Sequence, residues 1–191
     1  MSGDYVGGAV VFLIDTVLRL YSGVVLLRLL LQWVRADFYN PVSQAIVKLT
    51  TPLLRPLRRV VPSVGRMDTA SVVLALAVQA VNVVARVLLA GGTPATGGVL
   101  VLAAAACLDV LLGLWMLALL VLFIASWVAP YQRNPALALL DAITEPLLRP
   151  IRNVLPPLGG LDFSMMVALV ALKLAEMLVV APLNAAGLAL L

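Results

Sequence analysis

Seven ionisable side chains stand inside otherwise apolar stretches of this chain: Asp15, Arg19, Arg28, Arg86, Asp109, Lys173 and Glu176. Such groups are costly in hydrocarbon; they pair with one another, relay protons or line an ion path. A second set clusters between prolines, Arg55, Arg58 and Arg59 in one segment, Arg149 and Arg152 in another. Guanidinium groups held this way suit bidentate contact with phosphate. The chain has no histidine. That excludes Ser-His-Asp and Cys-His nucleophiles, imidazole relays and His-ligated metal or haem. Cys107 is the single cysteine, so no intramolecular disulfide forms. The glycine-rich run 91–98 lacks a lysine and a strand–loop–helix setting, so it is not read as a phosphate loop. No catalytic residue, metal site or cofactor is expected.

The two arginine segments are copies of each other. Thr51-Pro52-Leu53-Leu54-Arg55-Pro56-Leu57-Arg58-Arg59-Val60-Val61-Pro62 is answered 94 positions later by Glu145-Pro146-Leu147-Leu148-Arg149-Pro150-Ile151-Arg152-Asn153-Val154-Leu155-Pro156. From Asn40 to Asp68, 13 of 29 positions match their counterparts without a gap. Trp33 and Trp127, Gly65 and Gly159, and Asp68 and Asp162 share the offset. A period of this length is read before anything else. It divides the chain into two tandem repeats, 1–94 and 95–191, each with span, Pro/Arg segment and span.

With 63% hydrophobic and 12% charged residues, the chain is not a soluble domain. The apolar runs Gly8–Val34, Ala70–Ala90, Val99–Val128 and Phe163–Leu183 each suffice to cross a bilayer core of about 30 Å. The expected fold is all-α and integral to a membrane, with four transmembrane helices. The first run has no basic leader and is too long for a cleaved signal. Ala103, Ala105, Ala106 and Gly113 give the third span a small-residue face for close helix approach.

Between spans, Asn40-Pro41 and Asn134-Pro135 open helices, with proline at the first helical position. Pro52 and Pro146 restart them, and Pro56 and Pro150 interrupt them. Pro62, Gly65, Pro156 and Gly159 close the segments. The expectation is two short amphipathic helices per segment, lying at the membrane surface with leucines toward lipid and arginines toward phosphate. A re-entrant hairpin is the alternative. Asp68 and Asp162 precede spans two and four, where they suit an N-cap or a salt bridge to the motif arginines. Arg55 and Arg149 are the expected neighbours of these aspartates or of headgroups, with Arg58 and Arg152 turned to water or phosphate.

Nine of the 13 basic residues lie in the motif segments, Arg66 and Arg133 among them, and four lie inside spans. The positive-inside rule puts both segments in the cytoplasm and both termini outside. Each repeat has two spans, so the copies are parallel, related by a pseudo-twofold axis along the membrane normal. Counting at 1.5 Å per residue from the motif side, Arg19 and Glu176 lie roughly 22 and 20 Å deep, Arg86 roughly 26 Å and Asp15 and Asp109 roughly 28 Å. The expected pairs are Arg19 with Glu176, and Arg86 with Asp109 or Asp15. Lys173 is expected to reach Glu176, Gln79, backbone carbonyls or water.

The doubled PLLRPxRxVxP segment, followed by glycine and then aspartate at the start of a span, resembles the YggT family, which includes YlmG proteins. The second copy is the closer match, through Pro146, Leu147, Leu148, Arg149, Pro150, Arg152, Pro156, Gly159, Gly160 and Asp162; the first departs with Arg66 where the second has Gly160. The resemblance implies a multi-pass protein of the bacterial inner (plasma) membrane. It also implies association with osmotic and ion tolerance, with division and, in chloroplasts, with cytochrome assembly. Two functions compete. One is a non-enzymatic scaffold or assembly factor whose motifs bind anionic lipid headgroups or a partner. The other is a small ion transporter or channel that uses the intramembrane charges, as an oligomer. Nucleic acid is not an expected partner; a membrane-protein partner or a homo-oligomer is.

Overall fold

The structure, a computed structural model, describes residues 2–65, 67–128, 134–154 and 163–191. Every regular element in it is helical. Helix α1 is Ser2–Trp33, α2 Pro41–Leu57, α3 Thr69–Leu89, α4 Thr96–Val128 and α5 Pro135–Val154. The last helix begins as α6, Phe163–Ala175, passes through a π turn, Glu176–Val180, and continues as α7, Ala181–Ala189. Four helical stretches are long and apolar enough to cross a membrane: Tyr5–Trp33, Thr69–Leu89, Thr96–Val128 and Phe163–Ala189. The chain is therefore built as a multi-pass membrane protein.

The fourth span extends past the expected Leu183. Pro182 lacks the amide that would bond one turn back, and the helix absorbs the defect by widening just before it. The Ala181 amide reaches Glu176, five residues back, as in a π turn. Pro52 and Pro56 likewise do not split α2, nor do Pro146 and Pro150 split α5. Each motif helix is single, which corrects the two-helix expectation. In α2 the carbonyls of the turn before Pro52 also take side-chain donors. Thr51 Oγ1 donates to Val47 O, Thr50 Oγ1 to Ile46 O at 2.7 Å, and the Arg28 guanidinium to Val47 O at 3.3 Å. Both helices start at the expected Asn-Pro pairs, and the asparagines cap them. Asn40 Oδ1 accepts from the Val42 amide and Asn134 Oδ1 from the Ala136 amide, each at 2.9 Å.

One face of α2 is buried, through Ser43, Ile46, Thr50 and Leu54. In α5 the buried residues are Leu139, Ile143, Thr144 and Leu148. Both helices lean on the ends of the long spans. Ile46, Leu139 and Ile143 share a core with Leu30, Leu31 and Ala118. Leu54 joins Val25, Leu26, Ala70 and Leu74. Leu148 joins Leu119, Ala168 and Leu172. The motif helices also touch each other, and Asn40 Nδ2 donates to Pro135 O at 2.7 Å.

Among the spans, α3 packs on both α1 and α4, and α4 packs on α6 and α7, but α1 shares no contact with α6 or α7 among the described residues. A pseudo-twofold would copy the α3–α4 contact as a contact of α1 with the fourth span. The repeats instead stand side by side in sequence, which corrects the twofold expectation. Parallel direction holds: Arg19 pairs with Asp109 and Gly23 lies against Val110.

Of the expected small-residue face, Ala103 and Ala105 are buried, and the tightest crossing lies at two further glycines. Gly98 belongs to the first turn of α4, not to a loop. A Cβ there would lie 2.9 Å from Gly187 O, and one on Gly187 would lie 2.6 Å from Leu102 Cγ. Gly113 has nothing within 4 Å of such a Cβ. Gly187→Val should therefore destabilise the protein by about 1–3 kcal/mol through overpacking. Gly113→Ala should leave it unchanged or raise stability by about 0.5–1 kcal/mol, the usual gain from removing a helical glycine. Thermal melting in detergent checks both.

Candidate functional site

At the motif end, the buried face of α2 finishes with Leu54, and Arg58 follows one helical turn later on the same face. The chain then tightens: the Arg58 and Val61 amides bond to Leu54 O and Leu57 O at 2.9 and 2.8 Å. Gly65 turns the chain with φ +60, a conformation suited to glycine. Val64 and Met67 bond across that turn at 3.0 and 3.2 Å. The return delivers Asp68 beneath Arg58.

Arg58 forms an ion pair with Asp68, and Ser71 Oγ donates to the same carboxylate oxygen at 2.7 Å. Asp68 keeps only 2% of its side chain exposed, against 40% for Arg58. Its carboxylate accepts no amide of the first turn of α3; the Asp68 carbonyl takes the Ser71 and Val72 amides instead. The salt-bridge alternative thus replaces the N-cap reading for Asp68. The partner is Arg58, not Arg55, although Arg58 keeps 40% of its side chain exposed. An unbroken α2 explains the exchange, since it points Arg55 away from the buried face that runs from Thr50 through Leu54.

Burial alone would raise the Asp68 carboxyl. The hydrogen bonds from Arg58 and Ser71 and the charges of Arg58 and Arg28 outweigh it and hold the carboxyl below its ordinary range. Arg28, named among the charges inside the spans, had been given no partner from the sequence. It is buried, and its guanidinium donates to Thr50 Oγ1 at 2.6 Å and to Thr51 Oγ1 at 3.2 Å. Its signal was an asymmetry between copies, because the offset puts Leu122 opposite Arg28. Beside this network lies a cavity of about 400 Å3 lined by Gln32, Arg58, Val61, Pro62, Ser63 and Asp68.

Arg55, Arg59 and Arg149 are exposed and hold no ion pair among the described residues. Arg152 Nη1 donates to Glu145 Oε2 at 3.1 Å on its own helix, so Arg152 too is engaged. Arg66, Arg133, Pro156, Gly159, Gly160 and Asp162 lie outside the described residues. Pro62 O accepts from Thr69 Oγ1, which helps seat the start of α3.

Deeper in the spans, Arg19 pairs with Asp109, Arg86 Nε lies 3.7 Å from Asp15 Oδ1, and Lys173 Nζ lies 2.8 Å from Glu176 Oε1. The last two match expectation. The pairing of Arg19 with Glu176 does not form, because α1 and the fourth span do not touch. Counting depth from Trp33 and Trp127 also assumed that α1 and α4 lie level. They meet staggered: Gly23 lies against Val110, whose counterpart by the offset is Thr16. Asn82 Nδ2 donates to Asp15 Oδ1 at 2.9 Å, while Asn82 Oδ1, Gln79 Nε2 and Ser22 Oγ are buried with no hydrogen-bond partner among the described residues.

Two outcomes follow. Arg58→Gln strips the counter-charge from a buried carboxylate, an effect typically of about 3–5 kcal/mol when complete; Arg28 and the exposure of Arg58 should hold it to about 2–3 kcal/mol. Arg55→Gln should leave the melting temperature unchanged. Because the folded carboxyl titrates below its unfolded value of about 3.9, its stabilisation is full above that value and is lost as pH falls through the folded one. Wild type should lose more melting temperature on acidification than Asp68→Asn. In the spans, a double-mutant cycle of Arg19→Gln with Asp109→Asn should show coupling of about 0.5–3 kcal/mol, and Arg19→Gln with Glu176→Gln none.

The CCB3/YggT family model matches the chain twice, over residues 7–89 and 101–183. An uncharacterised protein of Pseudomonas aeruginosa is 46% identical over 176 residues, covering 90% of this chain and 88% of its own. The uncharacterised protein YggT of Escherichia coli K12 is 40% identical over 178 residues, covering 92% of each chain. A Haemophilus influenzae protein is 36% identical over 158 residues, 82% of this chain and 83% of its own. No solved structure matches. With its two matches lying 94 residues apart and spanning most of the sequence, the chain belongs to the CCB3/YggT family.

Proposed function

We propose that the protein is a non-enzymatic scaffold or assembly factor of the bacterial inner membrane that holds anionic lipid headgroups at its paired motif helices. The observation that carries this reading is that Arg55, Arg59 and Arg149 are exposed and hold no ion pair among the described residues, whereas Arg58 and Arg152 pair with carboxylates. The free guanidiniums sit on or just beyond helices whose opposite faces bury leucine and isoleucine against the spans. Such helices lie flat at an interface, apolar side inward and cations at phosphate level. The positive-inside rule assigns that surface to the cytoplasm and both termini to the other side. The Arg58–Asp68 pair then acts structurally, fixing where the free arginines stand. A role in osmotic tolerance or division would follow from this lipid contact by recruitment rather than by chemistry.

A second reading, a small ion transporter or channel, draws on the unpartnered buried atoms of Ser22, Gln79 and Asn82 beside Asp15. Buried polar groups of this kind call for water or an ion.

The test compares phosphatidylglycerol with phosphatidylcholine as additives to the purified protein. Phosphatidylglycerol should raise the melting temperature more. Arg55→Glu, Arg59→Glu and Arg149→Glu combined should abolish the difference, at about 1 kcal/mol per basic residue. Equal effects of the two lipids on wild type would remove the headgroup reading. Ion flux in proteoliposomes that disappears in Glu176→Gln would install the transporter reading.

A further inference from the structure

Along the row of spans the repeats join where the second span of the first copy, α3, packs on the first span of the second copy, α4, which also touches α1. Such a junction is head-to-tail. It leaves its two halves unmatched at the ends of the chain, the fourth span on one side and α1 on the other. The counterpart positions show what is missing. Gln79 and Asn82 on α3 are fully buried; the offset makes their counterparts Lys173 and Glu176. Lys173 keeps 58% of its side chain exposed in the middle of a span, and Glu176 keeps 27%. They pair with each other, on one helix. An ammonium group at that depth belongs against protein or a polar cavity rather than lipid tails. On the other side, Ala106, Cys107, Leu111 and Leu114 of α4 are half-buried, while their counterparts Phe12, Leu13, Val17 and Leu20 on α1 are 67%, 61%, 61% and 66% exposed.

We infer that a second copy of this chain fills the gap, its α1 packing on the fourth span of the first in repetition of the α3–α4 junction. Lys173 and Glu176 are then covered as Gln79 and Asn82 are. A heterologous contact of this kind closes into a ring when the rotation allows, and two chains would supply four repeats. The inference rests on the internal junction and stands apart from the headgroup reading.

The internal junction also specifies the contact to test. Val83 and Ala106 line one cavity of about 440 Å3 between α3, α4 and α7; their counterparts are Met177 and Phe12. In a Cys107→Ser background, Met177→Cys and Phe12→Cys chains carrying different tags are co-expressed and treated in membranes with a short bis-maleimide. A mixed-tag dimer is expected, at least tenfold above the dimer from either single-cysteine chain alone. Dimers formed equally by Met177→Cys alone or Phe12→Cys alone would overturn the head-to-tail contact. Subunit counting by photobleaching of the labelled wild-type chain in vesicles guards against misfolded variants. Two or more bleaching steps are expected, and single steps at every protein density would overturn the inference.

Discussion

Asp68 has almost no contact with solvent and stands where a span begins, so the protein itself must meet its charge. A lone carboxylate in such surroundings either neutralises or is compensated. Here Arg58 and Ser71 bond to it, and buried Arg28 adds its field from the neighbouring helix. Arg28 in turn holds the threonines that support α2 beside Pro52. The motif helix, the turn at Gly65 and the first two spans are therefore tied at one point. Without it, α2 would have only its apolar stripe to set its place.

That tie gives the prolines a physical sense. Each removes a backbone donor, yet α2 and α5 stay single helices. Side-chain donors reinforce the turn that precedes the first proline: in α2, Thr50, Thr51 and Arg28 bond to Ile46 O and Val47 O. The second copy solves the problem otherwise. Thr144 repeats the bond of Thr50, to Leu140 O at 2.8 Å, but Glu145 stands at the position of Thr51 and binds Arg152. The shared framework thus carries different polar chemistry in its two copies.

The repeat, the four spans and the Asn-Pro helix starts were legible because each depends on local pattern: apolar runs, Asn-Pro pairs and a fixed offset. The partner of Asp68 was not, because choosing Arg58 over Arg55 requires knowing that the helix continues through Pro56. The extension of the last span beyond Pro182 was hidden for a similar reason, since a π turn leaves no mark in the sequence. Ion pairing between spans failed at Arg19 because depth alone does not say which helices touch. Arg86 and Lys173 were read correctly, Lys173 because a residue three positions along its own helix sufficed and Arg86 because α1 and α3 belong to one repeat.

The central claim is that the Asp68 charge holds the motif helix on the spans. Amide hydrogen exchange in lipid nanodiscs tests it, comparing wild type with Asp68→Asn at neutral pH. The account predicts faster exchange through the second half of α2 and the turn to Met67, with the deep amides of α1, α3 and α4 unchanged. Identical exchange in the two proteins across residues 50–67 would contradict it.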